Sequence, residues 1–290
     1  MEVFTGAELS YADVNYIRLY NTLVNLTPGM KLHLGRDWMI GAQVTLPVVN
    51  DGYPAADNIV RVTNASVAKQ LHFGRQHLKL SGGLFCRDRY GLDLRWMMPV
   101  TPWLMLQAQL GYTGAYRLAG AESSEWYSVR VRDPKDGSGY SYDNVEVVTK
   151  STDFGSLDLF TAVAGANVWL SEWNTEGRLS GGRYMNKDYG VQLELYRHFP
   201  HVSVGGYLQY HEKSSDRYAR HTSGGFKVIM LLPDWKYRYE KFTARLASNF
   251  RLTYNAQADD YTMMMYTTDP EENERHYPVR VAWGTGTLQR

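Results

Sequence analysis

The sequence lacks several features that would assign it to a familiar class of protein. One cysteine, Cys86, stands among 290 residues, which excludes an internal disulfide. We expect it to be a small strand residue that faces lipid or core. No run of about 20 apolar residues occurs, which excludes a transmembrane helix. The net charge is +1, so charge alone does not indicate a nucleic-acid partner.

Catalytic and metal-binding patterns are also lacking. No nucleophile elbow supports Ser/His/Asp catalysis, and no carboxylate pair can be assigned to glycoside chemistry. His198 and His201 flank Pro200 without a nearby carboxylate cluster, so we expect solvated turn histidines rather than metal ligands. We therefore predict no enzyme activity, no cofactor and no metal site. The acidic residues near the C-terminus lack the spacing of a calcium loop and predict a solvated loop: Asp259, Asp260, Asp269, Glu271, Glu272 and Glu274.

What the sequence does contain is strict alternation of apolar and polar residues. Gly (26) and Tyr (22) are abundant, as in β-rich chains with many turns. Residues 189–199 and 202–211 alternate with a period of two, which predicts strands with one apolar face and one polar face. In the first of these, the apolar face carries Val191, Leu193 and Leu195, and the polar face carries Gln192, Glu194, Tyr196 and His198.

The same pattern recurs along the chain. We predict roughly 12–14 strands, separated by turns rich in Gly, Pro, Asn and Asp. Besides the two strands above, they cover residues 14–25, 38–46, 59–73, 78–86, 90–98, 103–116, 155–170, 224–232, 242–254 and 279–283. Between them we predict a polar loop at 47–58, a short turn at 99–102, a long polar hairpin or loop at 122–153, an aromatic and basic connection at 233–239 and an acidic irregular segment at 255–278.

Segment 155–170 differs from the other strands because it is apolar on both faces. We expect it to be covered by a plug, a neighbouring segment or a partner.

These strands predict an all-β, antiparallel transmembrane β-barrel with short turns alternating with long loops. A face this polar, opposite an apolar one, is typical of a barrel with lipid outside and a wet lumen inside. Segments of about 9–11 residues suit tilted, bilayer-spanning strands. Most tryptophans lie near strand ends, where interfacial girdles form. The alternative from periodicity is a soluble β-sandwich or barrel.

The pattern predicts that residues 1–290 form one domain, a single β-barrel. The first ten residues, MEVFTGAELS, lack the basic start and the apolar run of a signal peptide. We therefore expect either a mature form whose leader has been removed or part of a longer chain.

Two stretches resemble a known family. Residues 181–210 and residues 82–118 are similar in spacing to segments of the YjbH/GfcD-type outer-membrane β-barrel proteins, which are linked to exopolysaccharide and capsule production. The matching positions in the first stretch are Gly182, Arg183, Tyr184, Asp188, Gly190, Glu194, Arg197, Phe199, Val204 and Gly205. Those in the second are Gly83, Leu84, Phe85, Tyr90, Gly91, Pro99, Trp103, Leu110, Tyr112 and Arg117.

The resemblance implies a non-enzymatic barrel in the outer membrane of a Gram-negative bacterium. Such a barrel would assist export or assembly of an exopolysaccharide or capsular polysaccharide. It would contact membrane lipid, the polymer and a periplasmic or outer-membrane secretion partner.

The predicted functional surface is the lumen, where hydrogen-bonding and aromatic side chains would contact a sugar chain weakly enough to release it. The candidates are Arg95, Gln107, Gln109, Arg183, Gln192, Glu194, Tyr196, Tyr207 and Gln209. An equally consistent interpretation is that these residues pair with one another and with water to fill a narrow barrel.

Two other functions stay open. The first is a general porin or structural barrel, and a ladder of arginines and acids across the lumen would favour the porin. The second is a soluble carbohydrate-binding β-sandwich, or an enzyme built on one. A packed apolar interior and a carboxylate pair in a cleft would favour that second alternative.

Overall fold

A computed structural model gives the fold for most of the chain. The structure describes residues 1–13, 20–35, 37–51, 60–117, 122–132, 140–150, 153–185, 187–199, 202–212, 222–230, 235–246, 250–255, 263 and 265–270. The predicted strand at 279–283 lies outside these residues, as do five of the six acidic residues near the C-terminus.

The described residues form twenty strands and one short 3₁₀ helix, Ser171–Trp173. The strands of the first half are β1 (Glu2–Thr5), β2 (Ala7–Asp13), β3 (Tyr20–Leu26), β4 (Gly29–Leu34), β5 (Trp38–Asp51), β6 (Arg61–Phe73), β7 (Gln76–Phe85), β8 (Arg89–Thr101), β9 (Leu104–Arg117) and β10 (Glu122–Arg132). Those of the second half are β11 (Tyr140–Lys150), β12 (Asp153–Phe154), β13 (Leu159–Leu170), β14 (Thr175–Arg183), β15 (Tyr189–His198), β16 (Val202–His211), β17 (Thr222–Met230), β18 (Lys236–Tyr239), β19 (Phe242–Leu246) and β20 (Phe250–Asn255).

Eighteen of these strands belong to one sheet. Strands β5 to β9 pair in sequence order, β9 pairs with β13, and β13 to β17 again pair in order, all of them antiparallel. One pairing, between β1 and β19, is parallel. The remaining two strands, β10 and β11, form a separate hairpin. The predicted all-β and mostly antiparallel architecture is confirmed, whereas closure of the sheet into a barrel stays a prediction.

The connections differ in length between the two ends of the main strands. At one end, residues 74–75, 102–103 and 171–174 make short turns, and three residues separate β15 from β16 along the chain. At the other end, nine or more residues separate β5 from β6, β9 from β13 and β16 from β17 along the chain, and residues 86–88 make a tight turn. In that tight turn Arg87 and Asp88 both have positive φ, at 67° and 54°, which is the left-handed region that tight turns use. We call these the short-turn end and the long-loop end.

Several predicted boundaries were wrong for identifiable reasons. The polar loop predicted at 47–58 begins too early, because β5 continues through Pro47 to Asp51. Pro47 pairs with Asn25 at a shift in register, a place where a strand tolerates proline. The turn predicted at 99–102 is also strand as far as Thr101, again across a shift in register.

The strand count was too low because short strands carry little periodicity. The predicted strand 242–254 is two strands, β19 and β20, and the predicted connection 233–239 contains β18. The early strands β1, β2 and β4 were not predicted at all. The long polar segment 122–153 was predicted to be either a hairpin or a loop, and it contains a hairpin of β10 and β11.

No helix among the described residues is both long enough and apolar enough to cross a membrane.

Candidate functional site

The burial pattern of the sheet is the reverse of that expected for a protein packed in water. Alternate residues on the main strands are large, apolar and about half exposed. Leu193 and Leu195 on β15 are 51% and 57% exposed, and Leu92 on β8 is 59% exposed. We call this the apolar face; its exposed members include Val67, Leu80, Leu92, Leu110, Leu179, Val191, Leu193, Leu195, Val204 and Leu208.

The opposite side of the same strands is polar and buried, and we call it the polar face. It holds full charges as well as amides and hydroxyls: Lys79, Asp93, Glu176 and Lys227 are each less than a tenth exposed. Charged groups are rarely buried unless they are paired. The predicted assignment of faces on β15 is therefore confirmed, with the leucines exposed and Tyr196 fully buried.

Exposed aromatic residues lie at both ends of the strands. The exposed tryptophans Trp38, Trp103 and Trp173 stand at strand starts or turns of the short-turn end. At the long-loop end the exposed aromatics are Tyr112, Phe154, Phe160, Tyr189 and Tyr210. Two aromatic bands that border an apolar band are typical of a surface that crosses a membrane.

On β14 to β17 the polar face is filled by one network of side chains. The centre is Glu194, whose Oε1 accepts from Gln192 at 2.8 Å, from the Tyr196 hydroxyl at 3.0 Å and from Lys227 at 2.5 Å. The Lys227 ammonium also lies 4.7 Å from the centre of the Tyr207 ring. Four of the predicted lumen residues are thus brought together here.

Sequence analysis missed the second acid of this network, Glu176. Arg178 donates to both of its carboxylate oxygens, at 2.6 and 2.8 Å, and approaches Glu194 at 3.9 Å. His198, predicted as a solvated turn residue, instead places Nε2 3.1 Å from Glu176 and Nδ1 2.8 Å from Ser203. The signal was present in the sequence, since Glu176 and Arg178 alternate with Gly177 as polar-face residues should.

On β8 and β9 a second group forms around Asp93. Gln109 donates to Asp93 Oδ2 at 2.8 Å, and Arg95 lies 3.5 Å from Oδ1. Further along β9, Gln107 donates to Asn167 of β13 at 3.4 Å. Arg95, Gln107 and Gln109 therefore pair with polar residues of the same face.

The remaining two lumen candidates lie on the polar face or at its end. Gln209 of β16 is buried. Arg183 ends β14, and its buried Nε has no hydrogen-bond partner among the described residues.

A segment towards the C-terminus, of which the structure describes residues 263 and 265–270, covers the polar face of β6 to β8; we call it segment 263–270. Its described residues form no strand, yet Tyr266 and Thr268 are almost completely buried. The Thr268 carbonyl accepts from Asn64 Nδ2 and from Ser66 Oγ, both at 2.8 Å. Asp269 forms an ion pair with Lys79. The expectation that Asp269 is solvated was therefore wrong, because the sheet supplies it with a buried cation.

Tyr266 joins this segment to the Asp93 group. Its hydroxyl donates to Asp93 Oδ2 at 3.0 Å and lies 3.3 Å from Thr161 Oγ1. Its ring is stacked on Phe85, with ring centres 5.5 Å apart and planes inclined by 7°. Burial raises the pKa of the Tyr266 phenol, so the hydroxyl keeps its proton and acts as a donor.

The same segment covers part of residues 155–170, for which cover by a plug was one of the expectations. β13 alternates, with Leu159 and Thr161 buried and Phe160 exposed, and Tyr266 contacts Thr161.

Cys86 is buried in the turn after β7 rather than within a strand. Within the described residues, no group of three or more His, Cys, Asp or Glu side chains could hold a metal ion.

Comparison with known proteins finds no relative: no family model, no curated protein and no solved structure matches the chain. The features of the molecule that bear on function are therefore the two faces of the sheet and segment 263–270.

Proposed function

We propose that this protein is an outer-membrane β-barrel that assists export or assembly of a surface polysaccharide without covalent chemistry. The observation that carries the membrane part is the reversed burial, with Leu193 and Leu195 exposed and Glu176 and Lys227 buried. Exposed apolar area in water costs about 25 cal/mol per Å². A bilayer removes that cost, because lipid tails cover the apolar face.

The barrel would close through the first and last strands of the sheet. β17 pairs with β20, and β20 lies beside β2. β2 pairs with β3, and β3 pairs with β5. This path of pairings connects β17 back to β5 and so supports closure, which would remove the exposed sheet edges that a bilayer does not tolerate.

The polysaccharide part depends on the resemblance of residues 82–118 and 181–210 to exopolysaccharide barrels. The side chains of the polar face support it, because amides, hydroxyls and aromatic rings are the groups that bind sugars. Tyr196, Tyr207 and Phe85 supply buried rings, and Gln107, Gln109 and Gln209 supply amides. A secretion partner on the periplasmic side belongs to this proposal.

Removing the gene from the source bacterium tests the proposal. We expect less polymer on the cell surface and more in the periplasm, both measured by uronic acid and hexose content and both restored by the intact gene. Unchanged surface polymer in the deletion strain would contradict the export function.

A general porin is the second candidate, because the polar face carries paired charges. The pairs Arg178–Glu176, Lys227–Glu194 and Arg95–Asp93 resemble the ladder of cations and acids that favours a porin. Uptake of small hydrophilic solutes by the deletion strain distinguishes the two functions. A large fall in uptake with normal surface polymer would support the porin.

A further inference from the structure

Segment 263–270 is held on the polar face mainly by side chains of the sheet. Asn64 and Ser66 bind the Thr268 carbonyl, Lys79 pairs with Asp269, and Asp93 accepts from Tyr266. Among the described backbone hydrogen bonds outside the strands, one joins the segment to the backbone of the sheet, from Cys86 N to the Thr267 carbonyl at 3.1 Å. The described residues of the segment are therefore held without a strand pairing.

Two glycines of the polar face leave room for the segment. A Cβ atom at Gly41 would lie 2.5 Å from Cδ of Pro270. A Cβ atom at Gly111 would collide with the hydroxyl of Tyr266. Both glycines occupy positions where alternation would otherwise direct a side chain towards the segment, so the sheet is shaped to receive it.

The groups that hold the segment have the chemistry of a site for an acidic sugar. Lys79 can pair with a carboxylate, as it does with Asp269. Asn64 and Ser66, which donate to the Thr268 carbonyl, can donate to sugar oxygens, and Asp93, which accepts from the Tyr266 hydroxyl, can accept from a sugar hydroxyl. Phe85, stacked on the Tyr266 ring, offers a flat apolar surface for a sugar ring.

We propose that segment 263–270 is a plug that occupies, on the polar face of β6 to β8, the binding site of an acidic saccharide. The plug closes the path along this part of the sheet and competes with the polymer for Lys79, Asn64, Ser66 and Phe85. The ligand in this inference rests on the proposed export function, whereas the plug itself rests on the contacts of the segment.

A reversible tether tests the plug. The Cys86 N–H bonds the Thr267 carbonyl, so the backbones of the two residues are in contact. Thr267→Cys is introduced to pair with the native thiol, and the full-length variant is reconstituted in planar bilayers. We expect low conductance when the pair is oxidised and an increase of about tenfold after reduction. The double variant Thr267→Cys, Cys86→Ser is the control, and its conductance should be the same under oxidising and reducing conditions.

Equal conductance of the oxidised and reduced protein would overturn the plug. Faster migration of unboiled samples on a gel, measured for each variant, shows that the compared proteins are folded. If the tether does not form in a folded variant, the segment does not lie beside Cys86 and the inference is also overturned.

The ligand is tested on the reduced Thr267→Cys protein with oligogalacturonate and with neutral maltooligosaccharide of the same length. We expect oligogalacturonate to block the current at a concentration about tenfold lower than the neutral sugar, and Lys79→Met to remove that difference. Equal block by the two sugars would overturn the acidic site. A failure of the proposed export function would be seen differently. Surface polymer would then be normal in the deletion strain, whatever the bilayer currents of the variants are.

Discussion

The two halves of the polar face satisfy their buried charges in different ways. On β14 to β17, Glu176, Arg178, Glu194 and Lys227 pair with one another, and all four belong to strands of the sheet. On β6 to β8, Lys79 pairs with Asp269 of segment 263–270, and Asp93 accepts from Tyr266 of that segment in addition to its sheet partners Arg95 and Gln109. The first half is therefore satisfied within the sheet, while the second half takes part of its partners from a segment that is distant in the sequence.

The largest effect is expected in the self-contained half. Glu194→Ala removes the acceptor of Gln192, Tyr196 and Lys227 and leaves buried positive charge in excess. We expect the free energy of unfolding to fall by about 3–5 kcal/mol, as when one partner of a buried ion pair is removed. Guanidinium unfolding in detergent micelles, followed by tryptophan fluorescence, measures the change. Glu212→Ala, at an exposed position, is the control and should have little effect.

The next effect should be the same in both halves, because they share the apolar face. Leu80→Arg on β7 and Leu193→Arg on β15 each place a charge where we expect lipid. A cost of about 2–4 kcal/mol is expected for each near the middle of the bilayer. The same unfolding assay in lipid vesicles gives the cost, with Leu80→Ala and Leu193→Ala as the matched controls. A negligible cost at either position would mean that its leucine faces water.

A smaller effect is expected where the segment meets the sheet. Gly111→Ala forces the Tyr266 hydroxyl to move, and overpacking of this kind costs about 1–3 kcal/mol. Bilayer conductance should rise as well, because the segment is displaced. Gly206→Ala is the control, since its Cβ would meet nothing closer than a carbonyl oxygen at 3.5 Å. A loss of stability without any rise in conductance would show that the segment only fills space.

The smallest effect is expected from Ser66→Ala. The Thr268 carbonyl keeps its bond from Asn64, so a loss of about 0.5–1.5 kcal/mol is expected. When Ser66→Ala is combined with Glu194→Ala, the two losses of unfolding free energy should add within about 0.5 kcal/mol, because the two residues share no partner. A larger deviation in the double variant would mean that the two halves are coupled, and the comparison would fail.

Alternation predicted the sheet well wherever strands were long. Strands β15 and β16 have nearly the bounds that the sequence predicts, and the exposed face of β15 is the predicted one. Short strands such as β18 and β19 were missed, because four or five residues contain too few alternations to stand out. Pairing between distant strands, such as β1 with β19, has no local signal in either strand.

Segment 263–270 is the part of the candidate site that the sequence did not predict. It has no periodicity, and its acidic character predicted a solvated loop. What places it on the polar face lies elsewhere in the chain, in Lys79 and Asp93, which bind the segment, and in Gly41 and Gly111, which leave space. These residues could have been recognised as unusual from the sequence, but not the segment that meets them.

The central claim is that the apolar face meets lipid, and extraction behaviour tests it most directly. The chain is expressed with an outer-membrane leader, the cells are fractionated, and unboiled and boiled samples are compared on a gel. We predict that the protein stays in the outer membrane until detergent is added and migrates faster unboiled than boiled. A protein that is soluble without detergent, with Leu193 and Leu195 exposed to water, would contradict the account.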